Sequence, residues 1–445
     1  MRRKRSAAEV VGAALAAAGL AELRFSVRFW DGSEIAAAGP PRFIVMVNGP
    51  EALARVLREP NQLGLGRAWV TGELDLIGDL DELFALDGEF RAARIGTLGR
   101  LQTWGAAREL GVLSVGDLEP PATEARQHGR LHSLHRDRGA ISHHYDVSDD
   151  FYRIVLGPSM VYSCAYFRDE GESLEAAQRR KLDLICRKLE LGRGERFLDV
   201  GCGWGSLVIH AARHYGVRAL GVTISEAQAE LARARVEEAG LTGRCEIRLV
   251  DYRELDDGPY DKIASVGMYE HVGVDQLDSY TARIAALLRP GGLFLNHGIA
   301  RLDSTPGGPK SFIARYVFPD GELHPLDALL VSLRKAGMEV RDVESLREHY
   351  PPTLRRWGSN LAARRDEAVA AAGGERERIW RLYMAGSAHA FERGEITVFQ
   401  TLSARPGAPL GLPLDRTKLS LLDGEEVASL EGSGKQRIVA ARRTP

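Results

Sequence analysis

The chain has 445 residues, of which 44 % are hydrophobic and 27 % are charged, which allows a large buried core and indicates two domains. Its formal net charge of −2 provides no overall attraction to nucleic acid. The four cysteines, at positions 164, 186, 202 and 245, are too few and too irregularly spaced for a disulfide framework. They form no CxxC pair, so we expect no metal site and a reducing, cytoplasmic environment.

The N-terminal segment 1–23 reads MRRKRSAAEVVGAALAAAGLAEL. Basic residues ahead of an apolar run are typical of a secretory signal, but Glu9 interrupts the run and no clear processing site follows. We therefore predict an amphipathic helix over 1–23. No other stretch of about 18 apolar residues occurs, so we predict that no segment spans a bilayer.

Residues 24–92 contain the strand-like runs RFSVRFWDG and FIVMVNG, followed by the helical PEALARVLREP. These patterns predict a small N-terminal α+β domain. Residues 93–140 are basic and irregular, which is typical of a solvated linker. His128, His132 and His135 lie in this segment, but no carboxylate or cysteine spacing completes a metal site.

Strand and helix patterns alternate after residue 141. The strands are RFLDVGCGWG, VRALGVTIS, CEIRLVDY, YDKIASVGMYEHV and GGLFLNHGIA. Strands separated by helices predict an α/β fold with a parallel sheet covered on both faces, and a ligand site at the carboxyl ends of the strands. Residues 405–445 read as a Pro/Gly stretch and a polar, charged C-terminal tail, to which we assign no role.

A glycine-rich turn follows the first of these strands, in LDVGCGWGSL. Gly201, Gly203 and Gly205 allow a sharp turn and a close approach to a ligand at the N-terminus of the next helix. The spacing is G-x-G-x-G, and no acid stands at the tip of the second strand, which disfavours NAD. With Asp199 inside the strand, the turn is similar to the first motif of class I S-adenosylmethionine-dependent methyltransferases.

Six motifs then occur in a fixed order: HHYDVSDDFY, MVYSCAYF, LDVGCGWG, GVTISEAQ, MYEHVG and NHGIA. Together they resemble the cyclopropane fatty acid synthase family, which includes the mycolic acid cyclopropane synthases. The resemblance runs from about 141 to 403 and implies a class I methyltransferase (Rossmann-like) domain with an acyl-chain pocket over 141–404. The segment LGLGRAWVTGELDL resembles the N-terminal domain of the full-length phospholipid enzymes.

The resemblance implies that the methyl group of S-adenosylmethionine is transferred to the carbon–carbon double bond of an unsaturated phospholipid acyl chain. Attack by an alkene on the sulfonium methyl generates a carbocation, and loss of a proton closes a cyclopropane ring. A hydride shift before proton loss would instead give a methylene-branched chain for a separate reductase. Aromatic faces stabilise cations, although each ring taken singly is equally compatible with core packing. The candidate rings are Tyr145, Phe151, Tyr152, Tyr162, Tyr166, Phe167 and Tyr269.

In the family the proton acceptor is a bound bicarbonate. Its expected ligands here are Cys164, Glu270, His297, the backbone of Ile299, and Tyr350. Methyl transfer to an alkene has no acyl or thioester intermediate, so we expect Cys164 to shape this anion pocket and not to act as a nucleophile. Ser387 stands where family members often carry a cysteine, which argues further against thiol catalysis.

The resemblance also assigns a set of residues to S-adenosylmethionine. They are Tyr162, Ser163, Asp199, Gly201, Gly203, Gly205, Thr223, Ser225, Gln228, Tyr252 and Arg253. Thr223 and Gln228 are expected to bond the ribose or the methionine end, and the adenine is expected near Asp251 and Tyr252.

The alternatives from other functional classes are a non-catalytic lipid-binding module and a nucleic-acid methyltransferase. The intact glycines with Glu270, His297 and Tyr350 argue against the first, and the lack of a basic aromatic stripe in the sequence argues against the second. We expect an unsaturated phospholipid as partner, no nucleic acid, a homodimer as in many family members, and peripheral association with the inner face of the cell membrane. The basic segments MRRKR, 125–138 and KQRIVAARR are candidates for contact with anionic headgroups.

Overall fold

The structure is a computed structural model. It describes residues 5–17, 19–20, 22–86, 97–126, 129, 131–133, 136–137, 139, 148–302, 311–410 and 412–414. Several features singled out from the sequence lie outside the described residues: Tyr145 and the first part of its motif, His128, His135, and the tail from 415 to 445.

The N-terminal part of the chain contains a four-stranded sheet of order β2-β1-β3-β4. Its strands are Ser26–Phe29 (β1), Glu34–Ile35 (β2), Ile44–Val47 (β3) and Leu74–Ile77 (β4). The helices around it are Ala7–Ala17 (α1), Pro50–Arg58 (α2), Gln62–Val70 (α3) and Leu80–Ala85 (α4). β1 and β3 pair in parallel and the other two pairs are antiparallel, which confirms the small α+β fold.

A further helix, Thr97–Glu109 (α5), lies inside the segment that was predicted to be an irregular linker. It packs against α1, and Ala107 and Val112 are buried beside Ala54 of α2. The prediction of irregular structure was therefore wrong for these residues. Two glycines in TLGRLQTWGAARE lower its helix propensity by about 1 kcal/mol each, so tertiary packing has to stabilise this helix.

The larger sheet has the strand order β11-β12-β9-β8-β5-β6-β7, with a short strand β10 paired to β9. The strands are Arg196–Val200 (β5), Arg218–Thr223 (β6), Cys245–Leu249 (β7), Tyr260–Val266 (β8), Leu288–Arg301 (β9), His324–Pro325 (β10), Glu339–Ser345 (β11) and Ile396–Ala404 (β12). The first five are parallel to one another, and only β12 runs antiparallel to its two neighbours. The class I methyltransferase fold is confirmed.

Helices cover both faces of this sheet. They are Asp149–Leu156 (α6), Leu174–Lys188 (α7), Ser206–His214 (α8), Glu226–Glu238 (α9), Leu277–Leu287 (α10), Phe312–Tyr316 (α11), Leu326–Lys335 (α12), Tyr350–Ala363 (α13), Arg365–Ala372 (α14) and Gly374–Glu392 (α15). Ser148, Ser173 and Ser225 cap α6, α7 and α9 by accepting a backbone N–H, which satisfies a donor that the first turn leaves free.

The last long helix joins the N-terminal sheet to the larger domain. α15 packs against α3 and α4, and the Trp69 indole N–H donates to the Arg378 carbonyl at 2.8 Å. The Arg378 guanidinium lies 4.5 Å from the centre of the Trp69 ring and donates to the Trp69 carbonyl. No helix in the described part of the chain combines the length and apolar character needed to cross a membrane.

Candidate active site

The glycine turn after β5 depends on backbone angles that favour glycine. Gly201, Gly203 and Gly205 have φ values of +79°, +54° and +79°. Gly201 and Gly203 line a cavity at the carboxyl ends of the strands, but Gly205 does not. Gly205 is the residue before α8, and a Cβ there would lie 3.3 Å from the Cβ of Ala232. Its role is thus to let α8 start close to α9.

The cavity is formed by the ends of β5, β6, β7 and β8 together with residues from α7 and the segment before it. The predicted cosubstrate residues that line it are Tyr162, Ser163, Asp199, Gly201, Gly203, Thr223, Gln228, Tyr252 and Arg253. The sheet therefore brings together residues almost one hundred positions apart, at the edge where open α/β sheets bind ligands.

The end of β6 presents a short hydrogen-bonded network to this cavity. The Thr223 hydroxyl donates to Oε1 of Gln228 at 2.7 Å and accepts from the Ser225 backbone at 3.2 Å. This arrangement leaves the amide nitrogen of Gln228 to donate to a ligand. Ser225 was predicted to bind the cosubstrate, but it does not line the cavity; its hydroxyl accepts from the Gln228 backbone and caps α9.

The wall after β7 carries an arginine held by two carboxylates. Arg253 donates to Asp251 at 2.7 and 2.8 Å and to Asp137 at 3.0 Å. These bonds raise the pKa of Arg253 above its ordinary value. The guanidinium is thus neutralised and fixed, and Tyr252 beside it offers a ring face where the adenine was expected.

Tyr162 connects the cavity to a group of aromatic side chains that we call the aromatic cluster. Its members are Tyr152, Tyr162, Phe318, Trp357, Trp380 and Tyr383. The Tyr162 ring lies 5.3 Å from Trp357 and 5.4 Å from Trp380, and it is nearly parallel to Phe318 at 6.4 Å. Its hydroxyl donates to that of Tyr383 at 3.2 Å.

The structure separates Phe151, Tyr152, Tyr166 and Phe167 into two groups, whereas Tyr269 packs against His324. Tyr152 belongs to the aromatic cluster, and Phe151 packs against Trp380 at its edge. Tyr166 lies instead against His349 at 4.5 Å, and Arg356 lies over Phe167 at 4.6 Å. For Tyr166 and Phe167 the packing interpretation therefore holds.

Glu270 and the Ile299 backbone, both expected to bind bicarbonate, contact each other. The Ile299 N–H donates to Oε1 of Glu270 at 2.8 Å, while Oε2 is buried without a hydrogen-bond partner in the described residues. Burial raises the pKa of Glu270 to about 7. The raised pKa favours the protonated form of Glu270, which can donate as well as accept a hydrogen bond.

His297 lies two residues before Ile299 on β9, so both face the same side of the sheet. The Gln400 amide nitrogen lies 3.2 Å from Nδ1 of His297, and Nε2 has no partner among the described residues. Burial, with the nearby charges of Lys181 and Lys188, lowers the pKa of His297 well below its ordinary value. The imidazole is neutral, and with Gln400 donating to Nδ1 its proton lies on Nε2.

Cys164 and Tyr350 are the other two side chains expected at the anion pocket. Cys164 is fully buried, its thiol donates to the carbonyls of Ala165 and Leu346, and burial raises the pKa of that thiol. A protonated, enclosed thiol is a poor nucleophile, in line with its expected structural role. The Tyr350 ring stacks on Phe391 at 4.3 Å. None of the five residues expected at the anion pocket lines the cosubstrate cavity.

Sequence analysis missed several residues that shape the site. Phe318, Trp357, Trp380 and Tyr383 come from the segment between β9 and β12, where only Tyr350 and Ser387 were singled out from the sequence. Lys181, which lines the cosubstrate cavity, was also missed. Its signal is visible in α7, where a lysine stands on the otherwise apolar stripe of Leu174, Ala177 and Ile185.

The comparisons with known proteins agree with this architecture. The model of the family described as mycolic acid cyclopropane synthetase matches residues 132–401. A probable fatty acid methyltransferase of Pseudomonas putida is 41 % identical over 391 residues, which covers 87 % of this chain and 93 % of that protein. The tuberculostearic acid methyltransferase UfaA1 of Mycobacterium tuberculosis is 34 % identical over 393 residues, or 85 % and 87 % of the two chains.

Among solved structures, the mycolic acid cyclopropane synthase CmaA1 complexed with SAH and CTAB superposes with a TM-score of 0.57 at 32 % identity. The superposition covers 60 % of this chain and 98 % of the CmaA1 chain. The resemblance first read from six motifs is thereby confirmed. The chain belongs to the mycolic acid cyclopropane synthetase family and is an S-adenosylmethionine-dependent methyltransferase.

Proposed function

We propose that this protein transfers the methyl group of S-adenosylmethionine to the double bond of an unsaturated acyl chain in a membrane phospholipid, and that proton loss closes a cyclopropane ring. The family and its relatives support methyl transfer to lipid acyl chains. The observation that carries the proposal is the position of Tyr162. This residue lines the cosubstrate cavity on one side and belongs to the aromatic cluster on the other.

An aromatic cluster beside a methyl donor suits an alkene substrate. The carbocation formed by methyl transfer reacts rapidly with water, so the protein must exclude solvent from the region around this carbocation. Tyr152, Trp357 and Trp380 are each at most 2 % exposed, and ring faces stabilise a cation without forming a bond to it. Tyr162 is held between these rings by packing and by its bond to Tyr383.

Removal of the proton is the role we propose for the Glu270 region. These residues fit a small anion, because Nε2 of His297, and Oε2 of Glu270 in its protonated form, can donate to it. Both atoms are buried and without partners among the described residues. A bicarbonate held there would supply the base that takes the proton. Glu270 and His297 would then hold it by hydrogen bonds and set its protonation, while the Ile299 N–H keeps Glu270 oriented.

A membrane phospholipid as substrate requires the protein to reach the bilayer surface, so we propose peripheral association with the inner face of the cell membrane. Two arginines of the basic segments are already paired with carboxylates. Arg5 pairs with Glu109, and Arg136 pairs with Asp320 at 2.6 Å. If deletion of residues 1–5 leaves liposome binding unchanged, the proposed contact between that segment and the lipid headgroups is wrong.

A homodimer stays a proposal drawn from the family.

A methylene-branched product is the second candidate. Two relatives that align over 85 % or more of this chain carry the names fatty acid methyltransferase and tuberculostearic acid methyltransferase, with no mention of a cyclopropane. In this alternative the same carbocation undergoes a 1,2-hydride shift before proton loss, and a separate reductase would act on the product.

The test is to incubate the purified protein with S-adenosylmethionine and liposomes of oleoyl phosphatidylglycerol or phosphatidylethanolamine. The recovered acyl chains are analysed by mass spectrometry and proton NMR. A chain heavier by one methylene with upfield cyclopropane protons supports the leading proposal, whereas terminal-alkene protons at the same mass support the second candidate. If the protein binds S-adenosylmethionine but modifies none of several lipids, both proposals for the substrate fail.

A further inference from the structure

A buried charge network joins the N-terminal part of the chain to α11. The guanidinium of Arg67, on α3, donates to both carboxylate oxygens of Glu124 at 2.7 and 2.8 Å. The Tyr316 hydroxyl, at the end of α11, donates to Oε2 of the same carboxylate at 2.9 Å. Burial raises the pKa of Glu124, but the bonds from Arg67 and Tyr316 outweigh burial and hold that pKa below its ordinary value. The network is therefore charged at neutral pH and fixes the three side chains relative to one another.

α3 and α11 also touch at a position that has no room for a side chain. A Cβ on Gly66 would lie 2.4 Å from Cδ2 of the Phe312 ring, which is buried. The N–H of Ala125, next to Glu124, donates to the Arg315 carbonyl at 2.8 Å. Packing and backbone bonding thus hold α11 against α3 in addition to the charge network.

The segment that follows α11 leads into the reaction site. The Phe318 N–H donates to the Ile313 carbonyl at 2.9 Å, which ties this residue of the aromatic cluster to α11. Four residues further on, the Glu322 N–H donates to the Glu270 carbonyl at 2.8 Å. One short segment therefore connects α3 both to the aromatic cluster and to the carboxyl group proposed for proton removal.

Phe318 lies where the aromatic cluster meets the cosubstrate cavity. Its ring is 5.8 Å from Tyr383 in the cluster and 6.0 Å from His271, which lines the cavity. It is also nearly parallel to Tyr162, which belongs to both. A displacement of Phe318 would open the junction at which the methyl donor and the acyl chain have to meet.

We propose that α3 positions Phe318 at this junction through the contacts of Arg67, Glu124 and Tyr316, which are therefore positioning residues. The inference rests on the proposed methyl transfer to a double bond. With Phe318 displaced, a water molecule can reach the carbocation before the acyl chain loses a proton. The water oxygen then bonds to the cationic carbon and releases one proton to solvent, and the product is a methyl-branched alcohol.

Two variants displace α11 from opposite partners. Gly66→Ala adds one methyl group against the Phe312 ring, and because Gly66 lies inside α3, alanine strains no backbone angle there. Tyr316→Phe removes only the hydroxyl that donates to Glu124. The matched control is Gly105→Ala, a glycine of α5 at which a Cβ would meet no atom of the described residues within 4 Å.

The experiment analyses the products of each protein on oleoyl phospholipid liposomes with S-adenosylmethionine by mass spectrometry, in which the alcohol is heavier than the cyclopropane by one water molecule. We expect Gly66→Ala and Tyr316→Phe to lower product formation about 10-fold and to raise the alcohol share of the methylated chains at least about 5-fold. Isothermal titration calorimetry should give a cosubstrate dissociation constant within about 2-fold of the wild type, because no cavity residue is changed. Gly105→Ala should match the wild type in every measurement.

The alcohol share separates positioning from a purely structural role, since a merely destabilised protein would make less product of unchanged composition. Wild-type alcohol shares in both variants would overturn the inference and leave the proposed function standing. Gly66→Ala combined with Phe312→Leu, whose smaller side chain makes room for the methyl group, should restore the wild-type share, and a failure to restore it would also overturn the inference. A wild-type protein that methylated no lipid would overturn the proposed function, and this inference with it.

Discussion

Replacement of Glu270 by glutamine should raise the stability of the protein and lower its activity. In the folded protein Oε1 of Glu270 accepts from the Ile299 N–H at 2.8 Å, and Oε2 is buried without a partner in the described residues. The glutamine oxygen can keep the bond to Ile299, and the amide nitrogen replaces the unpartnered oxygen. The substitution therefore removes a buried ionisable group at almost constant volume.

The size of the stability effect follows from the pKa of Glu270, which burial raises from 4.5 to about 7. Below pH 4.5 the raised carboxyl pKa does not lower the unfolding free energy, because the carboxyl group is protonated in both the folded and the unfolded state. As pH rises from 4.5 to 7 the unfolded state ionises first, so the folded state loses up to about 3 kcal/mol of stability, and the loss is complete above pH 7. Glu270→Gln should thus gain about 3 kcal/mol in unfolding free energy at pH 8 and less than about 1 kcal/mol at pH 5.

Product formation should fall at least about 100-fold in the same variant, because the carboxyl group proposed to hold the bicarbonate and set its protonation is lost. The assay is urea unfolding at pH 5 and pH 8 alongside product formation on oleoyl phospholipid liposomes. Glu238→Gln, at an exposed glutamate of α9, serves as the control and should change neither quantity. Equal stability changes for Glu270→Gln at the two pH values, or full activity, would refute the assignment of Glu270 as a buried, functional carboxyl.

Three further substitutions test other parts of the structure. Cys164→Ser should keep at least about a tenth of the activity, because the serine hydroxyl can donate to the same carbonyls; complete loss, with cosubstrate binding intact, would point to a thiol nucleophile. Gly205→Ala should lower the unfolding free energy by about 1–2 kcal/mol and weaken cosubstrate binding, because φ is +79° and the new Cβ would crowd Ala232; unchanged thermal denaturation and titration curves would contradict this. Arg378→Ala should loosen the contact with Trp69 and increase proteolysis of the N-terminal sheet, with Arg393→Ala as a surface control; equal cleavage patterns would argue against it.

The sequence alone determined the class of fold and the location of the cosubstrate turn. The five parallel strands, the helices between them and the glycines after β5 follow from local periodicity and from backbone angles that favour glycine. These features depend on neighbouring residues, so a linear pattern carries them. The six motifs, taken together and in their order, added the family.

The tertiary structure decided which residues face one another. Tyr162 meets Trp357 and Trp380 only because α13 and α15, nearly two hundred residues further on, fold back over the segment before α7. The last strand, β12, inserts between β9 and β11 and brings Gln400 to His297. Such contacts join positions far apart in the chain, so no local pattern predicts them.

The same reason explains why residue type alone does not assign a role to a side chain. Ser225 and Gly205 have the residue types of ligand contacts, but one caps a helix and the other allows two helices to pack. Lys181 has the type of a surface residue, and α7 nevertheless buries it in the cavity wall. The sequence determines the chemistry of each side chain. Whether that side chain contacts a ligand, a helix end or another side chain depends on the tertiary structure around it.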